Sequence, residues 1–415
     1  MKRHLAFSLA GLFMSGGMLF AQSSIDQLLA MKDRLPLSGI QPSVLPSRRS
    51  IDKALPRQPK HNITIAFCGE TLGSTFFTEM VKSAREAASK YGYKFNYQNA
   101  NSDFQQQLSQ IETFISQKPD VLFVNSMDVD ASVKYFERAV QAGIPVVTCG
   151  PSPAKTGYPI VTNVLSGSFE PGYMAGVYTA QKLYQKGKLL KAGFVCPDMS
   201  YADSQSRPCG FISGYLFESH KMMGKPYASK WDAALDGYKA WIKFRDEGKN
   251  DNIGGVLDFV GYGVGGTMDP SGGQKASSDL LTAHPDMDVV MCMTDTMVRG
   301  VIQEMKQHNI VPGKQMKVIA ASDGTKEAMD YIKNGEMFCT GFNSPYPYGG
   351  ALIELIHKIF EEKYDASNMP VNSFTPVGII TKENVGNYYN PNGVYGKPQP
   401  WKMVTIDEYN ASSAK

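Results

Sequence analysis

The chain carries almost no net charge: 42 Lys and Arg stand against 39 Asp and Glu over 415 residues, leaving +3. That balance supplies no one-signed field of the kind that holds nucleic acid or an anionic membrane surface. The six cysteines, at 68, 149, 196, 209, 292 and 339, contain no CxxC and no zinc-ligand spacing. The histidines at 61, 220, 284, 308 and 357 never fall at metal-ligand spacing with a carboxylate or thiol, so neither a metal nor another cofactor is expected. There is no GxxxxGK[ST], GxSxG, HExxH or DxDxDG run, which removes the common signatures of phosphate, acyl-transfer, zinc-protease and calcium chemistry. Gly261, Gly263 and Gly266 do spell GxGxxG. A dinucleotide fingerprint needs a helix to open there, and Asp269-Pro270-Ser271-Gly272-Gly273 reads instead as a loop. The segment 260–273 looks like an insertion.

Only one long apolar run is present. Lys2, Arg3 and His4 precede residues 5–20, which are apolar and end before Ala21-Gln22. This is the pattern of a secretory signal peptide over 1–21, too short and too interrupted for a membrane span. No cysteine lies near the cut, so a lipid anchor is not expected, and the product should be periplasmic or extracellular. In such a compartment disulfides can form; Cys196 and Cys209, flanking one loop, are the one pair placed for a local bridge. Cys68, Cys149, Cys196 and Cys292, at or near the ends of apolar runs, otherwise read as small buried apolar groups. Residues 22–60 carry Pro36, Pro42, Pro46, Pro56 and Pro59, which predicts an extended tether.

From residue 62 the chain alternates apolar runs with amphipathic stretches. ITIAF (63–67), DVLFV (120–124) and IPVVTC (144–149) have the continuous apolar character of buried parallel strands. Between them Met80, Ala84, Ala87 and Tyr91, then Phe104, Leu108, Ile111 and Ile115, recur at helical spacing. Ser102 and Gln105 are placed as a capping box for the second of these helices. KAGFVC (191–196), VLDFV (256–260), DVVMCM (288–293) and KVIAAS (317–322) continue the series, with helices near 203–220, 234–248, 273–284 and 295–308. The fold class is therefore α/β, in right-handed doubly wound units. There are too many strands for one compact sheet, which predicts two parallel-sheet lobes.

Ligands of such sheets bind beyond the carboxyl ends of the strands. Those ends carry Glu70 to Phe77, Asn125, Gly150-Pro151, Asp198, Thr294-Asp295 and Asp323-Gly324. The set is amide, carboxylate, hydroxyl and aromatic, without a nucleophile and base. Carboxylates and amides pair with neighbouring hydroxyls, and aromatic faces cover the C–H side of a sugar ring.

Several runs in order, TLGSTFF (71–77), DFQQQLSQIETFI (103–115), PDVLFVNSMDVDA, AGIPVVT, KWDAA (230–234), LLTAHPD (280–286), SDGT (322–325) and NSPYPYGG (343–350), resemble the type I periplasmic sugar-binding proteins of ABC transporters, of the ribose- and galactose-binding kind. The likeness spans about residues 62–382. It implies two lobes joined by a three-crossing hinge near 165–168, 342–345 and 372–376, with residues 61–166 plus 344–373 in one lobe and 167–343 plus 374–415 in the other. The resemblance further implies that Phe76 and Trp231 wall a ligand from opposite sides, with Phe77 behind the first. Ser74, Asp295, Asp323 and Asn343 are the implied polar contacts. Gln205 stands where relatives place a ligand-binding arginine, and Arg207 matches a nearby arginine. The Asp-Arg pair of ribose binders is replaced by Gly150-Pro151.

The expected function is thus an extracytoplasmic solute-binding protein, a monomer that captures a small carbohydrate or polyol-like ligand and delivers it to a membrane ABC permease, with no catalysis of its own. A sensory receptor presenting its ligand to a chemoreceptor or sensor kinase is the alternative within binding proteins. A secreted enzyme lacks a visible nucleophile or carboxylate pair, and a repressor-type sensor lacks a helix-turn-helix and a basic face.

Overall fold

The structure is a computed structural model that describes residues 23–40, 48–150, 157–401, 403, 405 and 406. The expected signal peptide and Pro151 lie outside the described residues. In chain order the elements are α1 (Ser24–Leu29), β1 (Thr64–Gly69), α2 (Thr75–Lys90), β2 (Lys94–Asn99), α3 (Phe104–Gln117), β3 (Val121–Asn125), α4 (Val129–Gln141), β4 (Val146–Cys149) and β5 (Asn163–Leu165). Then follow α5 (Phe169–Leu183), β6 (Leu190–Cys196), α6 (Ala202–Met222), α7 (Lys230–Glu247), β7 (Asn250–Ile253), β8 (Leu257–Val264), α8 (Pro270–Ala283), β9 (Val289–Cys292), α9 (Asp295–Gln307), β10 (Lys317–Ala320) and α10 (Lys326–Asn334). The last are β11 (Cys339–Phe342), α11 (Leu352–Glu361), β12 (Asn372–Phe374), β13 (Gly378–Thr381) and α12 (Val385–Tyr388).

The strands form two sheets. The first has the order β12-β5-β4-β3-β1-β2 and the second β13-β11-β10-β9-β6-β8-β7. Pairing is parallel throughout the first; in the second only β11 with β13 and β7 with β8 run antiparallel. The chain passes between sheets three times, from β5 into α5, from β11 toward α11, and from β12 to β13. The central strands are buried along their whole length because helices cover both faces, which is why they read as uninterrupted apolar runs. In the first lobe Phe67 and Phe123 stack at 4.0 Å between centroids; in the second Phe194 meets Trp241 edge-on at 6.0 Å.

Four expectations are corrected. The start of α3 is not a Ser102 capping box: Ser102 sits at φ 62, and Asp103 is the cap, accepting from the Gln106 amide at 3.0 Å. Asp competes better because its carboxylate also favours the positive end of the helix. Cys196 and Cys209 are not bridged; all six thiols are free and buried. Cys196 closes β6 beside the Met199 sulfur at 3.5 Å, whereas Cys209 lies two turns into α6 within the apolar core. The 269–273 run is not a loop but the start of α8, which follows the end of β8. Asp269 caps that helix and Pro270 occupies its first turn, both ordinary start signals. The glycines of 260–273 serve packing, since a Cβ at Gly263 would lie 1.7 Å from the Ala276 carbonyl oxygen.

The fourth concerns residues 23–40 and 48–60, the described part of the expected tether (Pro42 and Pro46 lie outside the described residues), which do not form a solvated tether. Leu28, Leu37 and Ile40 are buried in the second lobe's core, while Ile51 and Ala54 are buried in the first lobe's. Asp33 pairs with Arg245 of α7 at 2.5 Å, and the Ser38 carbonyl accepts from the Phe169 amide. On the first lobe the Arg48 guanidinium donates to the carbonyls of Ile160, Val161, Ala366, Ser367 and Met369. Proline stops a long helix but not burial. The segment is a strap packed on both lobes.

Candidate functional site

The carboxyl ends of both sheets face one another, and the groups gathered there are contributed by both lobes. From the first lobe, β1 delivers Glu70, β3 delivers Asn125 and Ser126, and the first turn of α2 delivers Phe76. Ser74 opens α2 by accepting from the Phe76 amide at 3.2 Å, which spends its hydroxyl on the cap and fixes where the Phe76 ring projects. Phe76 meets Tyr348 edge-on at 5.4 Å and Phe77 at 5.8 Å. Phe77 leans back on the first lobe's core. Asn125 accepts from the Glu70 amide at 3.3 Å, and the Glu70 carboxyl is close enough to Asp203 of the other lobe to feel its charge. Burial, and then Asp203 across the cleft, push that carboxyl up to about 7.

From the second lobe come Asp203 and Arg207 on α6, the 322–325 turn after β10, and Asn343 after β11. Asp203 and Arg207 are i and i+4, so they share one face; they pair at 2.9 Å. The same guanidinium reaches Asp323 at 3.8 Å and the Met293 carbonyl at 2.8 Å. Asp203 also accepts from Ser168 at the first crossing, 2.6 Å. Asp323 accepts from Thr294 at 3.1 Å and from Ser322; burial raises its carboxyl while Arg207 opposes the rise. Asn343 accepts from the Tyr348 hydroxyl at 3.3 Å, linking the second crossing to the aromatic wall.

Among the described residues eight buried side-chain polar atoms have no hydrogen-bond partner, the Ser126 hydroxyl of the first lobe and the Arg207 Nε of the second among them. Buried polar groups are nearly always paired. A polar ligand held between Ser126 and Arg207 would give each of these two a partner.

Not every expected residue is placed here. Asp295 is near but occupied: its carboxylate accepts from the amides of Gly324 and Thr325 at 2.8 and 2.6 Å, and from the hydroxyls of Thr325 and Thr340. It shapes the turn that carries Asp323. Burial and Asp323 nonetheless raise its carboxyl to about 7. Gln205 points away, donating to the Met199 carbonyl at 2.9 Å and accepting from Arg245 at 3.0 Å. Two residues along a helix is roughly a 200° turn, so Gln205 faces the strap while Asp203 and Arg207 face the cleft. Trp231 is also elsewhere. It sits in the first turn of α7 beneath the Lys230 ammonium at 5.1 Å, and Lys230 pairs with Glu170 of α5 at 2.6 Å. Its neighbour Asp232 accepts from Ser24 of α1. The KWDAA run opens a helix that packs on α6 and the strap rather than one that lines the cleft.

Sequence reasoning missed Ser126, Asp203 and Tyr348. The first follows a strand end and the second lies four residues from Arg207, so both carried a local signal; Tyr348 lies within the NSPYPYGG run, but nothing in that run singles it out from Tyr346. Gly150 explains one departure from the ribose pattern. It has φ 141, and a Cβ there would stand 2.4 Å from the Ser126 carbonyl oxygen, so an aspartate at this position is sterically excluded.

Among the described residues no group of three His, Cys, Asp or Glu side chains converges on a metal site, and no helix is long and apolar enough to cross a membrane. The sequence profile of the periplasmic binding protein domain matches residues 65–363. The ribose import binding protein RbsB of Bacillus subtilis strain 168 is 26% identical over 307 residues, covering 74% of this chain and 82% of its own. RbsB of Escherichia coli strain K12 is 22% identical over 309 residues, covering 74% and 88%. Among solved structures, an ABC transporter solute-binding protein of Actinobacillus succinogenes 130z with bound D-allose superposes with TM-score 0.59 at 19% identity, covering 79% of this chain and 100% of that one. A Mycobacterium smegmatis protein in complex with beta-D-fucofuranose gives 0.60 at 21% identity, covering 78% and 93%. With two doubly wound lobes, three crossings between them and a profile match over most of its length, the chain belongs to the periplasmic binding protein family.

Proposed function

We propose that the protein is an extracytoplasmic solute-binding protein that captures a small carbohydrate or polyol between its lobes and hands it to a membrane ABC permease, without chemistry of its own. The observation that carries this reading is the make-up of the cleft. Glu70, Phe76, Ser126 and Tyr348 stand on one lobe and Asp203, Arg207, Asp323 and Asn343 on the other, with an orphaned buried donor on each side. Hydroxyl-rich ligands suit such a set: each hydroxyl can donate to a carboxylate and accept from Ser126 or Arg207. Apolar C–H faces suit Phe76 and Tyr348. A ligand touching both lobes binds the closed arrangement better than the open one, and that difference is what shifts the population toward closure. The ribose-binding relatives support a sugar as ligand, and the signal-peptide pattern of residues 1–21 supports the extracytoplasmic site of action. The ligand contacts proposed are Phe76, Arg207, Asp323 and Asn343, joined by Glu70 and Ser126; Ser74, Phe77 and Asp295 position them.

A thermal-unfolding panel of the mature protein with pentoses, hexoses, polyols, nucleosides and amino acids tests the reading. A ligand at a hundred times its dissociation constant stabilises by about 2.7 kcal/mol. A shift with a sugar or polyol that Arg207→Ala removes is the expected result. A shift confined to amino acids or nucleosides refutes it.

A further inference from the structure

Tyr395 lies beyond the profile-matched residues, on the tail that follows α12, and is fully buried. Its backbone is fastened to the second lobe. The Lys326 amide donates to the Val394 carbonyl at 2.8 Å, the Gly396 amide to the Gly324 carbonyl at 2.9 Å, and Tyr395 and Thr325 form an antiparallel bridge. The side chain, by contrast, belongs to the other lobe's surroundings. Its hydroxyl lies 3.1 Å from the Thr75 hydroxyl in the first turn of α2, and its ring meets Phe76 edge-on at 6.0 Å. Farther along, Trp401 and Met403 pack against the first lobe's core. The tail therefore crosses from the turn bearing Asp323 to the helix bearing Phe76, and Tyr395 stands at the crossing.

We propose that Tyr395 is a specificity residue of the cleft: held between Phe76 and the Asp323 turn, its ring ends the binding space on that side and limits the ligand to one monosaccharide-sized unit. A buried aromatic covers on the order of 150–250 Å², so a second sugar ring cannot occupy the place Tyr395 fills beside Phe76 and the Asp323 turn. The hydroxyl bond to Thr75 orients the ring, and the two backbone hydrogen bonds of the bridge to residues 324–326 keep it from swinging out. This inference rests on the sugar reading for its ligand class but not for its geometry.

The test is calorimetric titration of the full mature chain and of Tyr395→Ala and Tyr395→Phe with D-ribose, D-allose, myo-inositol, maltose and cellobiose. Wild type should prefer the single-ring ligands over the disaccharides. Tyr395→Ala should shrink that preference at least tenfold, while Tyr395→Phe, which keeps the ring, preserves it. An unchanged preference in folded Tyr395→Ala overturns the proposal, as does tighter single-ring binding with no gain for disaccharides. If wild type binds none of the five, the sugar reading fails for this panel, and amide exchange without ligand decides the placement of Tyr395. Tyr395→Ala should then speed exchange in the first turn of α2 and at 324–326 together; a change in one lobe only overturns the crossing.

Discussion

Replacing Glu70 by glutamine should remove a pH dependence built into the cleft. The carboxyl is held at about 7 by burial and by Asp203 on the facing lobe, against an ordinary value near 4.5. Its ionised fraction is therefore about a tenth at pH 6 and about nine-tenths at pH 8. If the ionised form is what accepts ligand hydroxyls, affinity rises about tenfold across that interval, since each tenfold in occupancy of the binding form is tenfold in apparent affinity. The ligand-free stability runs the other way. A carboxyl whose folded value is raised contributes fully below its unfolded value, and the contribution is lost as pH climbs through about 7. The span from 4.5 to about 7 corresponds to at most about 3 kcal/mol. Glu70→Gln should thus melt higher than wild type at pH 8 and level with it at pH 4.5, while its affinity for the sugar found in the panel rises less between pH 6 and 8 than wild type's, the remaining change belonging to Asp295, itself raised to about 7. Calorimetric titration and thermal unfolding over that range supply both readouts. Parallel curves for wild type and variant in both would refute the assignment of Glu70 to a shielded position facing Asp203.

Arg48→Ala should destabilise the protein by at least about 3 kcal/mol, because it strips a charged donor from five carbonyls at once and each such bond is worth about 1.5–3 kcal/mol; denaturant unfolding measures the loss, and a change under about 1 kcal/mol would show that the strap is not anchored there. Gln205→Ala should leave ligand affinity within about twofold, whereas Arg207→Ala should weaken it by more than about thirtyfold, the cost of about 2 kcal/mol for a charged hydrogen bond. Equal effects of the two would mean that the phase of α6 is other than described.

Much of the scaffold was legible because its signals are local. Buried parallel strands such as Val121–Asn125 announce themselves by unbroken apolar runs, and Phe76, Arg207, Asp323 and Asn343 stand at or near strand ends where the topology places ligands. What escaped is non-local. Gln205 and Trp231 were placed by likeness of short runs, but the phase of α6 and the packing of α7 on the strap decide where those side chains point. The strap itself looked like a linker because proline content speaks to helix length and says nothing of whether Leu28, Leu37 or Ile51 finds a core. Tyr395 enters the cleft only because the tail returns to the 324–326 turn, a contact about 70 residues back that no local pattern encodes.

The six unpaired thiols set a demand on how the protein matures. Once folded, each is sealed in a core, and burial lifts Cys68 and Cys196 to about 12, so almost no thiolate is available to an oxidant. The unfolded chain has no such shelter. In an oxidising compartment it would offer six exposed sulfurs before its sheets close. Any bridge made then joins residues that the native lobes keep apart and must be undone before β6 and α6 can pack. Productive maturation is thus a race between collapse and oxidation, and native yield should be governed by the redox poise met during folding rather than by the stability of the finished lobes.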